Sequence, residues 1–304
     1  MSQRIRTTVF GLGHAASVYV PALQAHPRFD LVSLASSHPG RAAEIAAQRK
    51  ISRAFENWHD ALEDPQVELV VITSAHPLRE EQLRLALANG KHVLVEPPLT
   101  DHPARLDAIL SAAAKHDRVA AAAFPLRYLS ARQALRELVV NGHLGDVHYA
   151  AWRHFSVSWR PTGVLHALDA LRVTLGAVEG EAVQRIARPR GLLLQMAHAG
   201  GAVVSQLAID GRSATEDFSF TIVGSSRVAL IVGERPDGGE LHVIEGDVED
   251  EYALRPSPYQ RFAAAHRNVP PFMELLDDLA LAVDGRESAL PGFADAAEAQ
   301  RIAG

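Results

Sequence analysis

The chain has 304 residues, 47% hydrophobic and 22% charged, the balance of a soluble globular protein with room for two domains. It has no cysteine, which excludes disulfides, thiolate metal sites and a cysteine nucleophile. A net charge of -6 gives no basic field for nucleic acid, and no apolar run approaches the roughly 18 residues of a membrane span. The opening MSQRIRTTVFGLG lacks an apolar signal core, so the expected location is the cytoplasm.

Up to residue 123, short apolar runs alternate with helical patterns. TTVFGLG is a strand that enters glycines, and YVPALQAH a helix with Pro21 in its early turns. FDLVSLASS is the second strand and PGRAAEIAAQR the second helix. VELVVITSA is the third strand, and the helix after it, LREEQLRLALANG, closes at Gly90. HVLVE is the fourth strand, PARLDAILSAAAKH the next helix and RVAAAAF the last strand of the series. These strands are continuous apolar runs, which means burial on both faces. The alternation predicts a Rossmann domain over 1–123, a doubly wound parallel sheet with helices on both sides.

Residues 124–304 follow another pattern. The helix SARQALRELVVNG leads to DVHYAAWRHFSVSW, and the helix GVLHALDALRVTLG follows. Six strand patterns come next, from EAVQRIAR to ELHVIEG, some separated by short turns. They predict a large, mostly antiparallel open sheet with helices on one face, an α/β substrate and oligomerisation domain. EYALRPSPYQRFAAAHRNVPP reads as a surface loop, PFMELLDDLALAVDG as the closing helix, and the rest as a short terminal segment.

Gly11, Leu12, Gly13, His14, Ala15 and Ala16 follow the first strand and open the first helix as G-x-G-x-x-A. Gly11 permits a tight turn, Gly13 lets the backbone approach a pyrophosphate, and Ala16 keeps the helix close to the sheet. The anion would rest on free N–H groups at the helix N-terminus. Ser74 and Ala75, ending the third strand, are further cofactor-binding candidates. The second strand ends in Ser36, Ser37 and His38, where an acidic residue would meet a free ribose 2′-hydroxyl. With Arg41 these residues suit a 2′-phosphate and favour NADP over NAD. The alternative is that the serines only close a turn and Arg41 is a solvated helix residue.

These segments together resemble the Gfo/Idh/MocA oxidoreductases, NAD(P)-dependent enzymes of sugars, cyclitols and related alcohols. VFGLGHAA is similar to the family's glycine loop, and ALANGKHVLVEPPL to its AL-x-x-GKHV-x-x-EKP segment. RYLSARQALRELVVNGHLGDV resembles the opening of its second domain, GVLHALDALRVTLG its H-x-x-D helix, and FTIVGSSRVALIV a strand pair of its sheet. The resemblance implies a homodimer or homotetramer and a small sugar- or polyol-like substrate held over the nicotinamide. It places Glu96 and position 97 beside the cofactor, and makes His166 and Asp169 catalytic. His166 acts on the reacting hydroxyl, and a neighbouring Asp169 orients the ring and raises its pKa.

One departure bears directly on the chemistry. The family's EKP lysine, implied in substrate binding and proton transfer, is Pro97 here, within HVLVEPPLT. Lys50, Lys91 and Lys115 are the only lysines, and all fall on the edge of the sheet away from the carboxyl ends of the strands, where ligands bind. A Pro97–Pro98 bond can be cis at modest cost. The approach to the H-x-x-D helix is also short, with Thr162 where an acidic residue is usual. Arg127, Tyr128, Arg153, His154, Trp159 and Arg160 are candidates for the substrate pocket. The fifteen histidines show no H-E-x-x-H or other ligand spacing, so no metal is expected. The expected protein is thus an oxidoreductase with an atypical acid–base site. The alternative is an impaired member that binds dinucleotide or sugar as a regulator.

Overall fold

The structure is a computed structural model. It describes residues 3–155, 161–179, 183–188, 191–198, 203–210, 217–235, 238–263 and 269–304. The chain divides into two compact units, one from 1–124 with 262–300, the other from 125–261 with 301–304.

The first unit is built on a six-stranded parallel sheet in the order β3-β2-β1-β4-β5-β6. Its strands are β1 (Ile5–Phe10), β2 (Phe29–Ala35), β3 (Arg53–Phe55), β4 (Leu69–Ile72), β5 (His92–Val95) and β6 (Ala120–Ala122). The central strands are apolar and fully buried, Leu69 to Ile72 and Val93 to Val95 all having 0% exposure. That is the signature of a sheet covered on both faces. The strands are linked through α1 (Ala16–Ala25), α2 (Arg41–Arg49), α3 (Trp58–Glu63), α4 (His76–Ala88) and α5 (Leu106–Ala113). HVLVE is therefore the fifth strand and not the fourth. The three-residue β3 and six-residue α3 precede it, and elements so short carry no periodic signal.

The C-terminal helices α8 (Val269–Val283) and α9 (Phe293–Ala303) change the boundary drawn from sequence, because residues 262–300 join the first unit. α8 packs on α1, with the rings of Phe272 and Tyr19 edge to face at 4.6 Å. Arg28 is paired with Asp284 on the loop after α8 through two bonds of 2.9 and 2.8 Å. The terminal segment is a helix of 11 residues. Its Gln300 accepts from the Leu99 N–H at 2.6 Å and donates to the Thr100 carbonyl at 2.9 Å, which fixes the loop after the two prolines.

The second unit contains an eight-stranded sheet in the order β14-β13-β12-β11-β7-β10-β9-β8. The strands are β7 (Val147–Phe155), β8 (Gln184–Arg188), β9 (Gly191–Ala197), β10 (Val204–Asp210), β11 (Asp217–Gly224), β12 (Val228–Arg235), β13 (Gly238–Glu245) and β14 (Val248–Glu251). Every pairing is antiparallel except β7 with β10. α6 (Ser130–Val140) packs on β12 and β13, and α7 (Pro161–Leu175) on β10. The edge strand β14, missed in the sequence, is fully exposed and acidic, with no apolar face to give it away.

Candidate active site

The first unit holds a cavity of about 350 Å³ over the carboxyl ends of β1, β2 and β4. Gly11, Leu12 and Gly13 line it from the glycine loop, Ser36, Ser37 and Arg41 from the end of β2 and the start of α2, and Ser74 and Ala75 from the end of β4. A parallel sheet collects its ligand at this edge, where successive connections leave in opposite directions.

The local backbone explains the sequence there. Gly11 has φ +81°, and a Cβ on it would lie 2.5 Å from the Ser74 backbone. Only glycine fits both demands. The Thr73 hydroxyl donates to the Gly11 carbonyl at 2.6 Å and ties the loop to β4. Gly13 faces open space, with nothing within 4 Å of a Cβ built on it. Ala16, 4% exposed, lets α1 sit close on the sheet. No side chain caps α1 and its first turn carries no acid; the Ser17 and Val18 N–H groups turn back to the His14 and Ala15 carbonyls at 3.1 and 2.9 Å, and the positive end of the helix dipole still suits an anion. The loop therefore fits a pyrophosphate. His14, Ala15 and Ala16 open α1 beside the cavity but do not line it.

At the ribose end no lining residue carries a carboxylate. Ser36 is 4% exposed, and its hydroxyl accepts from the His38 N–H at 3.2 Å, so it closes a turn. Ser37, His38 and Arg41 remain to face a ligand. Arg41 is ion-paired with Glu44 on the same helix, but both side chains are about half exposed. A solvated pair of this kind holds its partners weakly. Trp58, Leu78 and Gln82 also line the cavity. Sequence reasoning missed them because α3 carried no signal and α4 showed only its apolar pattern.

Glu96 and Pro97 lie outside this cavity, at the end of β5. The Glu96 N–H donates to the Ile72 carbonyl at 3.0 Å, in line with the end of β4. The Pro97–Pro98 bond is cis. The Glu96 carboxyl faces two buried groups, Tyr19 from α1 and Arg79 from α4. Burial pushes this carboxyl up to about 7, against the opposing pull of Tyr19 and Arg79. The Tyr19 hydroxyl has no partner at hydrogen-bond distance, so its approach to Glu96 is a longer polar contact. Burial and the Glu96 charge hold the phenol well above its usual range. Arg79 donates to the Ser74 carbonyl at 3.2 and 2.7 Å and to the Pro98 carbonyl at 3.0 Å. It thereby joins the β4 loop to the proline loop.

No lysine stands in for Pro97. The Lys91 ammonium is spent at the far edge, donating to the Asp64 and Val67 carbonyls at 2.8 Å each. Lys50 caps the C-terminus of α2, and Lys115 follows α5.

In the second unit, the expectation that Asp169 raises the His166 pKa needs correction. Asp169, 1% exposed, receives a two-pronged contact from Arg127, at 2.7 Å from Nε and 2.5 Å from Nη2. The His166 ring is pushed down to about 4 by burial and then by the Arg132 charge. A carboxylate partner would have moved it up. Arg132 is itself buried and stacks over the Trp152 ring at 4.0 Å. Nothing in the sequence singled out Arg132, since it looked like one more helix arginine.

The other pocket candidates divide. Tyr128 is buried, and the His154 ring lies 6.0 Å from Phe218, which also touches Trp152. Arg153 points to the opposite face of β7 from Trp152, because strand side chains alternate, and it is exposed over Phe155. Trp159 and Arg160 lie outside the described residues.

Fold and cavity together define a Rossmann-type fold with a cavity at the edge where such sheets take a dinucleotide. Residues 5–124 match the Gfo/Idh/MocA model, an oxidoreductase family with an NAD-binding Rossmann fold. It is 30% identical over 148 residues to human trans-1,2-dihydrobenzene-1,2-diol dehydrogenase, a match covering 48% of this chain and 44% of the relative. The chain thus matches less than half the length of that relative. A putative NADPH-dependent oxidoreductase from Desulfitobacterium hafniense superposes with a TM-score of 0.86 at 15% identity, covering 99% of this chain and 94% of that one. Levoglucosan dehydrogenase, in complex with NADH and levoglucosan, gives 0.84 at 19%, covering 99% and 95%. Among the described residues no helix is long and apolar enough to cross a membrane.

Proposed function

We propose that the chain is an NAD(P)-dependent dehydrogenase or reductase that moves a hydride between the nicotinamide and a CH–OH carbon of a small sugar- or polyol-like substrate. The glycine-loop cavity carries the reading, since Gly11, Gly13 and the uncapped α1 form a cradle for a pyrophosphate. The relatives' names, a diol dehydrogenase and a levoglucosan dehydrogenase, support the substrate class. NADP is preferred because Ser37, His38 and Arg41 line a ribose end without a carboxylate. The neighbours carry both NADPH and NADH in their names and do not decide this point. The cofactor supplies the hydride chemistry when bound, and the chain supplies binding and orientation. His166, by its family register, meets the reacting hydroxyl. It does so as a neutral ring, given its depressed pKa. The second unit serves substrate and oligomerisation, as a homodimer or homotetramer.

Titration of nicotinamide fluorescence with NADPH and NADH, followed by turnover on polyols, aldoses and cyclitols, tests this reading. Tighter binding of NADH would overturn the NADP preference, and silence across the panel would overturn the activity. Pro97 favours a second reading, a binding or regulatory member without turnover. Cofactor binding without turnover, unchanged in His166→Ala, would support it.

A further inference from the structure

The cavity covers the ends of β2, β1 and β4, which are consecutive in the sheet. In such a site the adenosine ribose lies toward the end of β2. A dinucleotide that starts there and crosses β1 and β4 reaches next the end of β5, one strand spacing further. The residue waiting there is Glu96.

We propose that Glu96 is the acid–base group of this chain, in the place that Pro97 leaves without a proton carrier. The inference rests on the dehydrogenase reading above. In the oxidative direction the substrate O–H bond breaks and its proton passes to a Glu96 carboxylate oxygen. The carbinol C–H bond breaks with its electron pair, which leaves as hydride to the oxidised nicotinamide, and the C=O bond forms. Reduction returns the proton from the Glu96 carboxylic acid to the new alkoxide oxygen.

Three observations support the assignment. Glu96 keeps part of its surface exposed, while Tyr19 and Arg79 around it are 1% and 5% exposed. The carboxyl thus lies among buried side chains, on a residue that still reaches the surface. The Tyr19 hydroxyl is a buried donor with no partner at hydrogen-bond distance, aimed toward this carboxyl. The charged and titratable groups facing Glu96 are Tyr19 from α1 and Arg79 from α4, and Asp101, from the loop after β5, acts on Arg79. Burial outweighs their pull, so the carboxyl exchanges its proton at about 7, where a general acid–base group works best.

The test uses the full chain, and its binding arm needs no substrate. NAD+, NADP+, NADH and NADPH are titrated by calorimetry in buffers of different ionisation enthalpy at pH 7. A positive nicotinamide beside Glu96 favours its charged form, so the oxidised cofactor releases protons and the reduced one does not. His14 and His38, near the other end of the ligand, meet both redox forms alike and cancel in the difference. Glu96→Gln loses the difference but retains affinity, and its kcat falls by about 10²–10⁴-fold. Tyr19→Phe removes the phenol that stabilises the carboxylate, so the pH midpoint of proton release moves up. Silent binding of the oxidised cofactor, an unmoved midpoint in Tyr19→Phe, or wild-type kcat in Glu96→Gln overturns the role of Glu96 alone. Failure to bind any of the four dinucleotides overturns the dehydrogenase reading itself, and Glu96 with it.

Discussion

The Asp169–Arg127 pair gives a sharp test of how the second unit is held together. Asp169 is 1% exposed, the Arg127 side chain 13%, and two charge-assisted bonds join them. Replacing Asp169 with Asn keeps the shape but leaves a buried guanidinium without its counter-charge. Breaking a buried pair from one side costs roughly 3–5 kcal/mol, because the remaining charge stays desolvated. Replacing both partners with apolar residues, as in Arg127→Met with Asp169→Leu, removes that penalty and should recover most of the loss. Urea unfolding of the wild type, Arg127→Met, Asp169→Leu and the double variant measures the cycle, with Asp169→Asn alongside. Asp169→Asn within about 1 kcal/mol of wild type, or a double variant no better than the single, would refute the assignment. Asp169 would then be free for the role the sequence suggested, orientation of His166.

Four further outcomes follow from the structure. Gly11→Ala should lose most dinucleotide affinity in a fluorescence titration, since φ +81° and a 2.5 Å approach to Ser74 both exclude a Cβ. Gly13→Ala, with no neighbour within 4 Å, should weaken binding while leaving thermal stability unchanged. The pH dependence of stability should show two opposed contributions. The folded His166 pKa of about 4 lies below its unfolded value of 6.5, so the unfolded state binds more protons and stability falls as pH drops through that window. Glu96, folded at about 7 against 4.5 unfolded, binds more protons when folded, so its contribution falls as pH rises. In His166→Gln, chemical denaturation should therefore show a smaller loss of stability as pH falls from 7 to about 5 than in the wild type, His92 and His198, also held below their usual range, remaining. Gln300→Ala leaves the Leu99 N–H and the Thr100 carbonyl buried without partners, at about 1–3 kcal/mol each. Urea unfolding and amide exchange at Leu99 should both register that loss.

The sequence alone determined the Rossmann sheet, its glycine loop and the mostly antiparallel sheet of the second unit. Each of these rests on local rules: continuous apolar runs for buried parallel strands, and glycine where φ is positive and the backbone approaches closely. It also set Pro97 at the position where the motif it resembles carries a lysine, which is a matter of identity and needs no geometry. It missed β3, α3 and β14, which are too short or too polar to carry a period. It also missed the return of α8 and α9 to the first unit. That return depends on Phe272, Asp284 and Gln300 meeting partners some 200 residues or more away in the chain. The expected rise of the His166 pKa was reversed for the same reason. His166 and Asp169 share a helix face, but which charge neutralises Asp169 is decided by Arg127, 42 residues earlier. A carboxyl at the end of β5 becomes a proton carrier only when α1 and α4 bury Tyr19 and Arg79 against it. Local pattern fixes where the backbone turns, whereas burial and charge are properties of packing, so only the tertiary structure set the pKa of Glu96 and His166.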